Sequence, residues 1–149
     1  MNEISLDFGD TNIDEIRPYR IHQRVVDKYV QGRVVLAGDA AHINSPSGGM
    51  GMNGGIHDAH NLADKIIKIF NGADIAQLNL YERQRRPIAI KHVIEQSARN
   101  RARMQERNSE KRLHSLRELQ RKSKNAKLCL EYLLETSMIN GLAESNSIR

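Results

Sequence analysis

Residues 32–72, GRVVLAGDAAHINSPSGGMGMNGGIHDAHNLADKIIKIFNG, decide how the rest of this sequence is read. Arg33-Val34-Val35-Leu36-Ala37 is a short, nearly continuous apolar run. It predicts a strand buried on both faces, as in a parallel or mixed sheet covered by helices. Gly38-Asp39 breaks the run, and Ala40 and Ala41 keep the next turn thin. The loop Ser45-Pro46-Ser47-Gly48-Gly49-Met50-Gly51 follows. A helix is predicted from near Asn53, with Ile56, Ala59, Ala63, Ile66 and Phe70 spaced by threes and fours as its apolar stripe. His57, His60, Asn61, Asp64, Lys65 and Lys68 fall mostly off that stripe. Asn71-Gly72 is a helix stop.

The chemistry of such a unit follows from its parts. A carboxylate at the carboxyl end of a buried strand lies where open α/β sheets bind ligands. Asp39 there can accept hydrogen bonds from a hydroxyl, such as one on a ribose or ribityl chain. Glycines let the backbone approach a flat ligand. The helix start offers free N–H groups and a partial positive charge, which favour an anion. Together these point to a nucleotide-like cofactor with a hydroxyl near Asp39 and negative charge developing near the helix start.

Across about Tyr19 to Ala89, including the later YERQRRPIA segment, the sequence resembles the FAD-dependent aromatic-ring hydroxylases. These are the p-hydroxybenzoate and phenol hydroxylase-like flavin monooxygenases, and the central stretch is similar to their second flavin signature. The resemblance implies that Gly38-Asp39 holds the ribityl chain. It implies that Pro46, Gly48, Gly49, Gly51 and Asn53 lie against the isoalloxazine ring, with N–H groups near Met52 and Asn53 facing the N1–C2=O edge. It marks no catalytic side chain and no metal ligand in this chain. The implied reaction reduces FAD with NADH or NADPH, adds O₂ to form a flavin hydroperoxide, and transfers one oxygen atom to an aromatic substrate. The implied fold is α/β and helix-rich: the C-terminal part of a GR2-type FAD-binding domain (strand, Gly-Asp loop, helix), followed by a helical tail.

A complete hydroxylase of this kind is much longer than 149 residues. It opens with a βαβ unit carrying GxGxxG, and the residues before Arg33 contain no such fingerprint. The expected division is a substrate-domain strand and connector over 1–31, part of the FAD-binding domain over 32–95, and a helical tail over 96–149. The chain is therefore expected to be a hydroxylase portion lacking its N-terminal βαβ unit and inactive alone, with a separate N-terminal half or a second copy as partner. Gly49-Met50-Gly51-Met52-Asn53-Gly54 does spell GxGxxG, but no strand immediately precedes it, so it fails the test for a dinucleotide turn. Two other readings stand beside the leading one. One is a non-enzymatic helical protein that kept the signature and binds a partner. The other is a portion of a different flavin class, such as an epoxidase, halogenase or reductase.

The remainder is less specific. The formal net charge is +5 and there is one cysteine, Cys129. That usage excludes an internal disulfide and fits a reducing compartment. With no secretory signal and no apolar run of roughly 18 residues, the expectation is a soluble cytoplasmic protein. Ile4, Leu6 and Phe8 alternate as an edge strand in an acidic N-terminus. Arg17 to Val26 alternates as a second strand, in which Tyr19 and His22 are either sheet-face residues or neighbours of the substrate. His57 and His60 lack the spacing and intervening Glu of a zinc-protease helix. His42 is read as fixing its loop, and Asp58 as structural, complementing the helix dipole. Leu78 to Pro87 opens a helix that continues from Ile88 to about Arg112. The lysines and arginines between Glu82 and Lys127 read as a solvated face rather than a nucleic-acid surface, since no nucleic-acid motif accompanies them. Two leucine-rich helices follow, and Glu144 to Arg149 reads as disordered.

Overall fold

The computed structural model describes residue 15, residues 17–47 and residues 49–149. The expected edge strand at Ile4, Leu6 and Phe8 lies outside the described residues, as does Gly48. Four two-residue strands come first: β1 (Arg24–Val25), β2 (Val30–Gln31), β3 (Val34–Val35) and β4 (His42–Ile43). Helix α1 (Met50–Phe70) follows, then α2 (Gln77–Ile88), a π-helical turn (Ala89–Ile94) and α3 (Glu95–Gln105). The helices α4 (Ser109–Lys124), α5 (Ala126–Thr136) and α6 (Ile139–Ser147) complete the chain.

The strand prediction needs correcting. β3 pairs antiparallel with β2, and β1 pairs antiparallel with β4, so the described strands form two small antiparallel ladders. Gly32, at φ +63°, turns the chain between β2 and β3. Val34 is 65% exposed while Val35 is half-buried. The run is thus covered on one face only. Val30, Val35, Leu36 and Ala37 pack on a core of Tyr29, Ala41, Tyr81 and Ala89. Of the strand expected over 17–26, only Arg24–Val25 makes ladder pairs.

Helix α2 laces this layer to the helices through polar side chains. Glu82 Oε2 accepts the backbone N–H groups of Tyr29 and Val30, both at 2.7 Å. The Tyr81 hydroxyl donates to Leu36 O at 2.8 Å, and Arg86 Nε donates to Val26 O at 3.0 Å. These bonds satisfy strand-edge groups that would otherwise be left unpaired. The basic stretch is therefore not wholly a solvated face: Arg85 is 1% exposed, and Arg86 is half-buried.

Helix α1 starts at Met50, earlier than expected, with Gly49 in the left-handed conformation at its N-cap. Its buried residues are Met50, Gly54, Asp58 and Lys65. The predicted apolar stripe faces outward instead: Ile56 and Ile66 are exposed, and Phe70 is 84% exposed. Close packing decides this. A Cβ at Gly54 would meet His42 Cε1 and Val93 Cγ2, each at 3.2 Å, and one at Gly55 would meet Gly38 Cα at 3.4 Å. The helix ends as predicted, with Asn71 as C-cap and Gly72 at φ +96°.

Asp58 sits inside this contact with no exposed surface. It lies beyond the first turn, so dipole complementation does not explain it. Its Oδ2 accepts from Gly38 N at 3.1 Å and from His42 Nε2 at 2.8 Å, and its Oδ1 accepts from Arg85 Nε at 2.7 Å. Burial pushes this carboxyl up, but the hydrogen bonds from His42 and Arg85 outweigh burial and hold it below its usual value.

After Pro87, which has no N–H to give, the helix widens into the π turn. Ile94 O there accepts from Gln23 Nε2 at 3.1 Å and from Ser97 Oγ at 3.0 Å. Helix α3 stops at Gln105, short of Arg112, and Asn108 caps α4 by accepting from Lys111 N. The C-terminus is ordered as α6, contrary to expectation. Gly141 packs on the His92 ring, Ser145 is fully buried, and Glu144 pairs with Lys91 and His92. Among the described residues no helix is long and apolar enough to cross a membrane.

Substituting Asp58→Asn should destabilise the fold by about 3–5 kcal/mol near neutral pH, because it strands buried Arg85. The folded carboxyl titrates below its ordinary value of 3.8, so its contribution is fully present above pH 3.8 and is lost as pH falls further. Urea midpoints of the two proteins should therefore differ most near neutrality and converge in acid. A constant difference across that range would contradict this role.

Candidate functional site

The Gly38–Ala40 turn, the 44–49 loop and the N-terminus of α1 surround a cavity of about 430 Å³. Asp39, Pro46, Gly49, Gly51 and Met52 line it. These are five of the eight residues expected to hold a cofactor. Gly38 stands behind the cavity. Its φ of +58° turns the chain, and its N–H is held by Asp58, which fixes where Asp39 projects. Asn53 is exposed and does not line the cavity; its Nδ2 donates to Gly49 O at 3.0 Å and braces the helix start.

Each glycine on the wall has a steric reason. Gly49 adopts φ +65°, a region costly for residues with a Cβ. A Cβ on Gly51 would come within 2.9 Å of Asn44 Oδ1. At Gly49 and Gly51 the wall is thus bare backbone, suited to a flat ligand. Helix α1 carries no acidic residue in its first turn, and no side chain caps Gly49. Its leading N–H groups and dipole are left for an anionic edge.

The loop is tied down by short bonds. Asn44 Nδ2 donates to Ser45 O at 2.8 Å, Gly49 N donates to Pro46 O at 3.1 Å, and the Ser45 and Ser47 hydroxyls lie 3.0 Å apart. Asn100 of α3 donates to Ser47 O at 3.3 Å. Sequence reasoning missed Asn100, since a polar residue on a polar helix carries no local signal. The rim of the cavity includes Tyr19, Arg20 and His22. Arg20 was not singled out, being one cation among many.

His42 holds the turn, as its position suggested, through the bond to Asp58. His57 and His60 lie on another part of α1, away from this cavity. Among the described residues no group of three or more His, Cys, Asp or Glu is placed to hold a metal ion. The GxGxxG spelling at Gly49–Gly54 falls on the first turns of α1, after a loop rather than directly after a strand.

Comparison with known proteins gives the family. The family described as "FAD binding domain" matches residues 1–97. Para-nitrophenol 4-monooxygenase of Pseudomonas sp. strain WBC-3 is 34% identical over 130 residues, covering 87% of this chain and 32% of that protein. A 4-methyl-5-nitrocatechol 5-monooxygenase of Burkholderia sp. is 44% identical over 80 residues, covering 53% of this chain and 15% of that protein. The crystal structure of p-nitrophenol 4-monooxygenase from Pseudomonas putida DLL-E4 superposes with a TM-score of 0.77 at 32% identity, covering 93% of this chain and 34% of that one. The chain thus spans about a third or less of the length of these relatives. With residues 1–97 matched, more than half of its length, the chain belongs to the FAD binding domain family.

Proposed function

We propose that this chain supplies the flavin-contacting part of an FAD- and NAD(P)H-dependent monooxygenase that hydroxylates an aromatic compound with O₂. The observation that carries this reading is the convergence of Asp39, Pro46, Gly49, Gly51 and Met52 on one cavity at the start of α1. Residues 32–95 are the cofactor-binding part, residues 1–31 carry the connection to the substrate side, and residues 96–149 are a helical tail. Similarity to monooxygenases of nitrophenols and nitrocatechols supports an aromatic substrate.

The roles divide by chemistry. Asp39 accepts a hydrogen bond from a hydroxyl of the ribityl chain. Gly49 and Gly51 admit the flat ring, and Pro46 closes the cavity beside it. The free N–H groups of the first turn of α1, at Gly51 and Met52, stabilise negative charge at the edge of the ring, aided by the helix dipole. Gly38 shapes the backbone behind the cavity. Bound FAD supplies the redox chemistry and the activation of O₂, while the protein positions and polarises it. Tyr19 and His22 lie on the side of the cavity from which an aromatic substrate approaches.

Titration of the 149-residue chain with FAD, followed by flavin absorbance and fluorescence, tests the reading. Saturable binding with a shifted flavin spectrum is expected. Asp39→Ala should weaken it about tenfold or more, the worth of a hydrogen bond to a charged group. Equal affinity in that variant would remove Asp39 from the site. Gly49→Ala should destabilise the loop and helix start by about 1–2 kcal/mol, because a Cβ is strained at positive φ. Its FAD affinity should fall together with its thermal midpoint, whereas Asp39→Ala should leave that midpoint unchanged.

A further inference from the structure

The cavity around Asp39 lies in a fork between two chains. β1 and β4 pair at Arg24↔Ile43 and Val25↔His42, and the ladder ends there. Back from Arg24, the chain passes Gln23 and lines one side of the cavity with residues 19–22. On from Ile43, it lines the other side with Asn44 and Pro46. Two prongs without ladder bonds between them do not set their own separation.

The π-helical turn and α3 lie across this fork and bond to both prongs. Gln23 Nε2, next to His22, donates to Ser97 Oγ at 2.9 Å and to Ile94 O at 3.1 Å. Ser97 has no exposed surface, and its own hydroxyl donates to Ile94 O at 3.0 Å. Three residues on, Asn100 Nδ2 donates to Ser47 O of the other prong at 3.3 Å. The Asn100 amide is itself oriented. Its Oδ1 accepts from Gln96 Nε2 at 3.0 Å, and Gln96 Oε1 accepts from Arg99 Nη2 at 2.6 Å. With Oδ1 engaged by Gln96, the amino end of Asn100 is turned to the loop. Positions 97 and 100 share one face of the helix, about 4.5 Å apart along its axis. Gln23, Ser47, Ser97 and Asn100 all stand outside the lining of the cavity.

We propose that Ser97 and Asn100 are positioning residues: acting through Gln23 and Ser47, they fix the separation of the two prongs and so the width of the cavity. On the flavin reading of this cavity, on which the role rests, that width decides how a flat ring is gripped. The helix therefore belongs to the working site, although it falls beyond the span assigned to the cofactor. A helix suits the task because the spacing of positions three apart is locked by its backbone bonds. Loss of either tie frees one prong and leaves the bonds of Asp58, on the far side of the turn, intact.

The first measurement needs no cofactor. In full chain carrying Cys129→Ser, nitroxide labels at Arg20→Cys and Pro46→Cys report the distance between the prongs by pulsed electron paramagnetic resonance. A control pair at Ala59→Cys and Asn79→Cys reports the packing of α1 on α2; all four positions are exposed. Asn100→Asp keeps the acceptor for Gln96 but cannot donate to Ser47 O. Gln23→Met removes both donor bonds of the other prong without altering buried Ser97. Each variant should give a longer or about twofold broader distance distribution between the prongs, as a local opening does, with the control pair unchanged. In unlabelled protein, each should lower FAD affinity about three- to tenfold, the worth of one hydrogen bond. Unchanged prong distances, broadening shared by the control pair, or altered distances with unaltered FAD affinity would each overturn the proposal. If FAD binds neither the parent chain nor the variants, the flavin reading fails, and the prong distances alone decide whether α3 holds the fork.

Discussion

A single buried carboxylate organises this structure. Asp58 accepts from a turn, a strand and a helix that are distant in sequence: Gly38 N, His42 Nε2 and Arg85 Nε. Removing a carboxylate from water is expensive, and the cost is recovered only when its lone pairs are filled with good geometry. Here that condition doubles as a positional constraint. Gly38 and its neighbour Asp39 cannot move without breaking a bond to a group that has no water to fall back on. The charge that the family resemblance leaves in the background thus sets the position of the one expected to touch the cofactor.

The same logic explains why polar residues of α2 matter more than its apolar ones. The strands are two residues long, too short to hold themselves together by ladder bonds. Glu82, Tyr81 and Arg86 supply the missing partners by bonding to strand backbone at Tyr29, Val30, Leu36 and Val26. The YERQRRP segment is therefore a set of clips. Helical periodicity gives such residues to solvent, because it counts hydrophobicity and cannot see a backbone N–H waiting for a carboxylate.

What was legible in the sequence was local and chemical. The Gly-Asp turn, the glycine loop, the helix after it and its Asn71-Gly72 stop follow from rules that act over a few residues. The orientation of α1 was not legible. Ile56, Ile66 and Phe70 make a regular stripe, yet Gly54, Gly55 and Asp58 face inward. A face containing two glycines and an aspartate scores as polar, but it allows the closest backbone approach and, once Arg85 and His42 arrive, leaves the Asp58 carboxylate paired. Helix α6 was hidden for a related reason. Its anchoring depends on His92, Lys91 and the small Gly141, contacts that span about fifty residues of chain. The loop braced by Asn100 was likewise invisible locally.

The glycines of the central stretch do two kinds of work, and the structure separates them. Gly38, Gly54 and Gly55 are packing glycines, whose missing Cβ atoms let α1 approach the turn and the His42 ring. Gly49 and Gly51 are wall glycines: one allows the positive φ at the helix start, and the other leaves room beside Asn44 on the cavity side. The packing set controls whether α1 lies against the turn at all. The wall set controls what the cavity can admit once it does. The flavin proposed for this cavity needs both, since Asp39 is placed by the first set and the wall is cleared by the second. The two sets are joined through α1, so the rigidity of one helix links the cavity wall to the buried charge of Asp58.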